Sequence, residues 1–335
     1  MATIPDVIKK DLSILDVHTH VGVDPKLYLS HSLPYCRSID VAYREAVEVG
    51  IGATVCFPFI TSLYYDLKIL ADTGDVEITG NGIGRAPYHF ENEHMLRQLY
   101  ELFPEYADHF IPFVIVDTLR ETEEQVRVLD DLLSTFPFYG IKIHPRDAQA
   151  HVATLSKEGQ PILDFAQAYD FPILIHACST HIDPLSSIRD IFCLARRYPS
   201  LRWCAAHFCG FHQELFDEAD RIDNLWVDSA AMSIGCDSVL EGYDVYENGP
   251  EKIAGDYNKP EEIFFSMAER YPDTFMFGTD NPAHSWIAVT KFSSGKVERF
   301  EMKSTMEREI SLLSLVKGEH LEKIACRNAL RFIEG

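Results

Sequence analysis

Residues 171–177 read Phe-Pro-Ile-Leu-Ile-His-Ala, an almost unbroken apolar run that ends on His176. Such a run suits a parallel strand covered on both faces rather than a strand with one wet face, which would alternate. Seven further segments have the same form: residues 13–18, 53–57, 110–116, 139–144, 201–207, 225–228 and 274–279. Among them are FIPFVIV at 110–116 and FMFG at 275–278. Between the strands lie stretches of helical character at 121–135, 161–169, 184–198 and 260–271. The last three begin with proline, which fits a helix first turn.

Eight such strands with helices between them predict an α/β protein, a closed parallel (β/α)8 barrel forming one domain over residues 1–335. An open doubly wound sheet is the alternative, and it would carry a glycine-rich nucleotide loop after an early strand. The only candidate, Gly80-Asn-Gly82-Ile-Gly84, follows no strand and reads as a loop. Long segments at 21–39, 61–90 and 229–259 fall after strands, so they are expected at the C-terminal rim as pocket walls and lid. Toward the end, Ser304-Thr-Met-Glu307 predicts a capping box. Residues 320–333 predict a helix docked on the barrel.

Composition limits the function. Thirty Lys and Arg stand against fifty-two Asp and Glu, a net charge of −22. That field repels phosphate backbones and anionic membranes, which argues against nucleic-acid and membrane partners; the expected partner is a small-molecule substrate. No apolar run approaches the ~18 residues of a membrane span. The first residues mix Asp6, Lys9, Lys10 and Asp11 into short apolar patches, so no signal peptide is read and the expected location is cytoplasmic. Eight cysteines without a C-x-x-C pair predict reduced thiols rather than a disulfide framework.

The chemistry gathers at the strand ends. In Leu15-Asp-Val-His18-Thr-His20 the two histidines are two residues apart, so both imidazoles face one side of a strand and can share one ion. Alone the pair is a weak signal. Other strands end alike: Lys142-Ile-His144 at the fourth, His176 at the fifth, Ala206-His207 at the sixth and Thr279-Asp280 at the eighth. Burying several imidazoles together is costly unless a cation or a hydrogen-bond network compensates. No G-x-S-x-G elbow, H-E-x-x-H helix or P-loop competes with this reading.

Taken together, HTH at 18–20, GIKIHPR at 140–146, ILIHA at 173–177, AAHFCG at 205–210, FGTDNP at 277–282 and IACRNALRF at 324–332 resemble the amidohydrolase superfamily. More narrowly they resemble its amidohydrolase-related branch, which includes aminocarboxymuconate-semialdehyde decarboxylase, resorcylate-type decarboxylases and metal-dependent hydrolases. The resemblance implies one divalent ion, zinc by preference with manganese or iron as alternatives. His18, His20, His176 and Asp280 would be its ligands, with a water in the open position. His207 would be the acid or base, and Asp280 would also take a proton from that water. A divalent cation lowers the pKa of its water from 15.7 to about 7, within reach of such groups.

Lys142 admits a second reading, as a carbamylated bridge between two ions with His176 and His207 on the second. His144 and Arg146 are the expected substrate contacts, with Lys142 beside them, since a cationic fork near an ion suits a carboxylate. Arg37 and Arg85 on the rim loops come after them. The leading function is hydrolysis of a small ester, lactone or amide. The second is non-oxidative decarboxylation of an aromatic or conjugated acid; the third is a metal-free lactonase or a binding barrel. By analogy with the branch the chain is expected to form a homodimer. His31, His89, His94, His109, His151, His212 and His320 read as ordinary structural histidines. His181 or His284 could reach the pocket, and Tyr64 and Trp286 could line it.

Overall fold

The computed structural model describes residues 4, 6, 14–59, 66–73, 85–179, 183–242, 252–291 and 295–335. Eight strands run in one direction: β1 (Leu15–Val23), β2 (Ala53–Pro58), β3 (Phe110–Ile115), β4 (Gly140–Ile143), β5 (Ile173–Ile175), β6 (Trp203–Ala205), β7 (Leu225–Asp228) and β8 (Phe275–Met276). Each pairs in parallel with the next in the chain. The segment after β8 closes the circle on β1: Val17 N donates to Phe277 O at 3.2 Å, His20 N to Asn281 O at 2.7 Å and Asp280 N to His18 O at 2.9 Å. The chain is therefore an α/β TIM barrel, as its strand pattern predicts.

Parallel neighbours need a crossover, and helices supply it. They are α1 (Ile39–Glu48), α2 (His89–Arg97), α3 (Thr122–Leu133), α4 (Gln160–Tyr169), α5 (Ile188–Arg197), α6 (Gln213–Ala219), α7 (Pro260–Arg270) and α8 (Asn328–Glu334). Strand residues alternate between two cores. Ile141, Ile173, Trp203, Val227 and Phe275 face the helices, whereas Val55, Phe113, Leu174, Cys204, Trp226 and Met276 fill the barrel interior. Extending the inward series toward the C-terminal rim brings Lys142, His176, Asp228 and Asp280 to its top.

β1 runs further than residues 13–18 and carries its histidines within the strand rather than at its end. Between the pairs Asp16–Thr54 and Thr19–Cys56 it sets three steps against two of β2, a bulge. Leu15 and Val17 point inward below the bulge; above it the alternation reverses, and His18 and His20 lie against the interior ring of Phe57.

Four local expectations are corrected. The span 184–198 is a short 3-10 turn, Pro184–Ser186, followed by α5, whose N-cap is Ser187. The cap near 304 is one residue later, because Thr305 Oγ1 accepts from Arg308 N while Ser304 Oγ donates to the buried Glu309. The terminal helix passes through a π turn at Lys323–Arg327 before α8. Finally, segment 21–39 is not all loop: Ser32–Leu33 joins β9 (Trp286–Lys291) and β10 (Val297–Met302) in a small antiparallel sheet that the sequence reading lacks. All eight cysteines are free thiols. Among the described residues no helix is long and apolar enough to cross a membrane.

Candidate metal centre

The top of the barrel gathers a buried polar cluster. His18, His207 and Asp280 each present a ligand atom, all within 4.8 Å of one another. His18 Nε2 and His20 Nε2 both lie 3.3 Å from Asp280 Oδ1. Two ligands on a tetrahedral ion with bonds of about 2.1 Å stand about 3.4 Å apart, so this spacing suits one cation. His207 Nδ1 lies 3.9 Å from Asp280 Oδ2.

The donor chemistry fits a cation as well. Asp228, the last residue of β7, accepts from His18 Nδ1 at 2.8 Å. That bond places the His18 proton on Nδ1 and leaves the Nε2 lone pair facing the Asp280 carboxylate. Burial, and behind it the Lys142 ammonium, holds His18 well below its usual pKa; His20 is also lowered, chiefly by burial. Burial pushes the Asp280 carboxyl up, but the three imidazoles outweigh it and hold that group well below the carboxylate range. Asp280 Oδ1 is buried without a hydrogen-bond donor. The free His18 Nε2, the His20 imidazole and the Asp280 carboxylate oxygen meet at one buried point, a site that a cation stabilises.

Around this point the chain builds supports. Asp16 accepts from His18 N at 3.0 Å, Thr279 N at 3.0 Å and Thr279 Oγ1 at 2.6 Å, which ties β1 to the segment carrying Asp280. Burial pushes the Asp16 carboxyl up to about 6. Gly278 leaves room for this joint, because a Cβ there would stand 3.1 Å from His18 Cβ. After β6 the backbone is left-handed for five consecutive residues, His207, Phe208, Cys209, Gly210 and Phe211. Each non-glycine residue there costs about 1–2 kcal/mol, and strain of this kind collects at functional sites. The turn aims His207 N at Asp228 Oδ1, 2.9 Å away, and the His207 ring toward Asp280.

The expected site residues fall into three groups. His18, His20, Asp280 and His207 converge. The resemblance implied His176 as the fourth ligand and His207 outside the shell, whereas here His207 is in the inner group and His176 stands behind it. His176 Nδ1 is 2.7 Å from His207 Nε2, and the His176 ring stacks on His144 at 3.8 Å. Lys142 is buried beside them, its Nζ 3.0 Å from His18 Nε2 and over the Phe57 ring. Burial pulls its ammonium down to about 8.

The arginines are elsewhere. Arg37 is buried rather than a surface arginine, and its guanidinium is bound to Asn281 and Glu45 within the protein. Arg85 pairs with Asp131 and Glu124 on α3. Arg146 is exposed just beyond His144. His284 is buried under Asp280, its N donating to Asp280 O at 2.9 Å, and burial pushes its imidazole down to about 4. Trp286 meets Phe300 edge to face in the accessory sheet, their ring centroids 5.0 Å apart. His181 and Tyr64 lie outside the described residues.

Sequence reasoning missed Asp228, Lys26 and Asp183. Lys26 Nζ is bound to Asp147, which in turn lies 3.5 Å from His144 Nε2. Asp183 Oδ2 lies 3.7 Å from His176 Nε2. Asp228 ends an apolar strand as the site histidines do, so the signal that found them extends to it. Lys26 lies in a short helix, Pro25–Leu29, and Asp183 caps the turn at Pro184–Ser186, and neither carries a comparable mark.

The Amidohydrolase family model matches residues 16–333. No curated protein matches the chain in sequence. Among solved structures it is similar to an uncharacterised TIM-barrel protein of Bordetella bronchiseptica, at 15% identity and a TM-score of 0.54 over 96% of this chain and 98% of that one. It is also similar to the dihydroorotase of Campylobacter jejuni, at 15% identity and a TM-score of 0.51 over 95% of this chain and 82% of that one. A third is the IDCase of Metarhizium anisopliae, at 13% identity and a TM-score of 0.50 over 98% of both chains. Identities this low carry the fold alone.

Proposed function

The chain belongs to the amidohydrolase family, and from that premise we propose that it is a metal-dependent hydrolase of a small ester, lactone or amide. The observation that carries this is the convergence of His18 Nε2 and His20 Nε2 on Asp280 Oδ1 at 3.3 Å. His18, His20 and Asp280 would hold one divalent ion, zinc by preference, with His207 or His176 completing the set. Such an ion supplies Lewis acidity that lowers the pKa of a water toward neutrality and polarises a carbonyl.

The chain's own groups do the rest. Asp228 fixes the His18 tautomer, and Asp16 holds β1 against the Asp280 segment. Asp280 stays ionised and accepts a proton from the attacking water. The His207–His176 pair, 2.7 Å apart, passes a proton toward the leaving group. His144, stacked on His176, forms the wall on which substrate rests, with Arg146 at its outer edge.

Lys142 favours decarboxylation as the second reading. A buried ammonium 3.0 Å from His18 Nε2 is a ready partner for a substrate carboxylate beside the ion. The test is a substrate panel with two readouts, acid release from esters, lactones and amides, and carbon dioxide release from aromatic acids. Hydrolysis that falls about 10²-fold or more in His207→Asn supports the first reading. Carbon dioxide release without hydrolysis replaces it with the second.

A further inference from the structure

Behind His176 stands a carboxylate that the proposed chemistry leaves unused. Asp183 is only 3% exposed, and its Oδ2 is buried with no hydrogen-bond donor among the described residues. That oxygen faces His176 Nε2 across 3.7 Å. The other oxygen is occupied: Asp183 is the N-cap of the Pro184–Ser186 turn, and its Oδ1 accepts from Ser186 N at 3.3 Å. The turn is tied to the end of β5, with Cys178 N donating to Ser186 O at 2.8 Å and Ile188 N to Cys178 O at 3.0 Å. Backbone bonds therefore place the carboxylate beside His176.

The ring it faces is also held on its flat side. His144 stacks on His176 with the centroids 3.8 Å apart and the planes 13° from parallel. His144 is itself fixed, since its Nδ1 accepts from Asp147 N at 3.3 Å and its Nε2 lies 3.5 Å from Asp147 Oδ2. What the stack leaves open is which His176 nitrogen carries the proton. His176 Nδ1 is 2.7 Å from His207 Nε2. At that distance one nitrogen donates and the other accepts, because two N–H groups would clash and two lone pairs would repel.

We propose that Asp183 is a positioning residue that sets this order: it holds the His176 proton on Nε2 and leaves the Nδ1 lone pair facing His207. The reverse order puts the Nε2 lone pair against a buried carboxylate oxygen that has no other donor, whereas an N–H there makes a charge-assisted contact. The gap of 3.7 Å exceeds a hydrogen bond, and contacts of this kind in ligand-free sites commonly tighten when the site is filled. Asp228 does the same for His18 at 2.8 Å, so two imidazoles of the cluster take their tautomer from a carboxylate on another segment. The order matters whichever histidine completes the ligand set. With its proton on Nδ1, His176 has no lone pair there for an ion. A neutral His207, accepting on Nε2, would then keep its own proton on Nδ1, the nitrogen 3.9 Å from Asp280 Oδ2.

Asp183→Asn tests this. Ser186 N keeps the side-chain oxygen, so the amide nitrogen takes the place of Oδ2, donates to His176 Nε2 and reverses the order. Nitrogen NMR of the metal-free, full-length protein with 15N-labelled histidine, at about pH 8 where imidazoles are neutral, reads the protonated nitrogen directly. The His176 signals are those lost in His176→Gln. Wild type is expected to carry the proton on Nε2 and Asp183→Asn on Nδ1, with unchanged circular dichroism. A second readout rests on the metal-centre reading: divalent ion affinity, by chelator competition, should fall about 10–100-fold in Asp183→Asn. A wild-type proton on Nδ1, or the same tautomer in both proteins, would overturn the proposal. A reversed tautomer with unchanged affinity would uphold the role of Asp183 and count instead against His176 and His207 as ligands. Should Asp183→Asn fail to fold, the wild-type spectrum alone decides the order.

Discussion

His18 Nδ1 donates to Asp228 Oδ2 across 2.8 Å, joining the first and seventh strands of the barrel through one imidazole. The bond sets which His18 nitrogen keeps its lone pair, and so which nitrogen can bind an ion. Asp228→Asn offers a poorer acceptor and can present an amide N–H instead. Divalent metal affinity, measured by competition with a chromophoric chelator, should fall about 10–100-fold while the circular dichroism is kept. Unchanged affinity would mean that Asp228 serves packing only.

Gly210 tests the left-handed turn that aims His207. A Cβ on Gly210 would stand 2.0 Å from Ser179 Oγ, in backbone with φ near +57°. Gly210→Ala should cost about 2–4 kcal/mol in urea unfolding, from left-handed strain plus overpacking. Adding Ser179→Gly should return about 1 kcal/mol or more, since it removes the clash and leaves the strain. A second substitution without effect would show that the clash is relieved by other movements.

Lys142 separates one ion from two. Its buried ammonium stands 3.0 Å from His18 Nε2 and opposes a cation there. Lys142→Met is expected to keep about one metal per chain and to bind it no more weakly than wild type, judged by elemental analysis and chelator competition. If wild type holds about two ions and the variant about one, Lys142 is a bridging ligand and the single-ion reading falls.

Glu309 gives a pH dependence unconnected to the site. It is fully buried, with Ser304 Oγ donating to it at 2.5 Å, and burial pushes its carboxyl from 4.5 up to about 7. The folded state therefore binds its proton more tightly than the unfolded state does. Its stabilising share is complete below pH 4.5 and is lost as pH rises through about 7, about 3 kcal/mol in all. Urea unfolding of Glu309→Gln against wild type should show the variant gaining stability at pH 8 relative to pH 4. Parallel curves for the two proteins would contradict this.

Most of the barrel was legible in the sequence because its strands are short apolar runs that end on polar residues. The same grammar marked His18, His144, His176, His207 and Asp280. What stayed hidden depends on three-dimensional detail. The bulge that turns His18 inward leaves no compositional trace, since it is one extra step in a pairing register. Arg37 looks like a free rim cation until Asn281 and Glu45 close on it across the fold. β9 and β10 escaped because their alternation is brief and half of β10 is charged.

The most direct test of the account is metal content in wild type and Asp280→Ala, purified without added metal, then loaded and dialysed. The wild type should retain about one divalent ion per chain, and Asp280→Ala should retain none while keeping its fold. An ion retained at the same stoichiometry in Asp280→Ala, or none in wild type, would contradict a metal centre built on His18, His20 and Asp280.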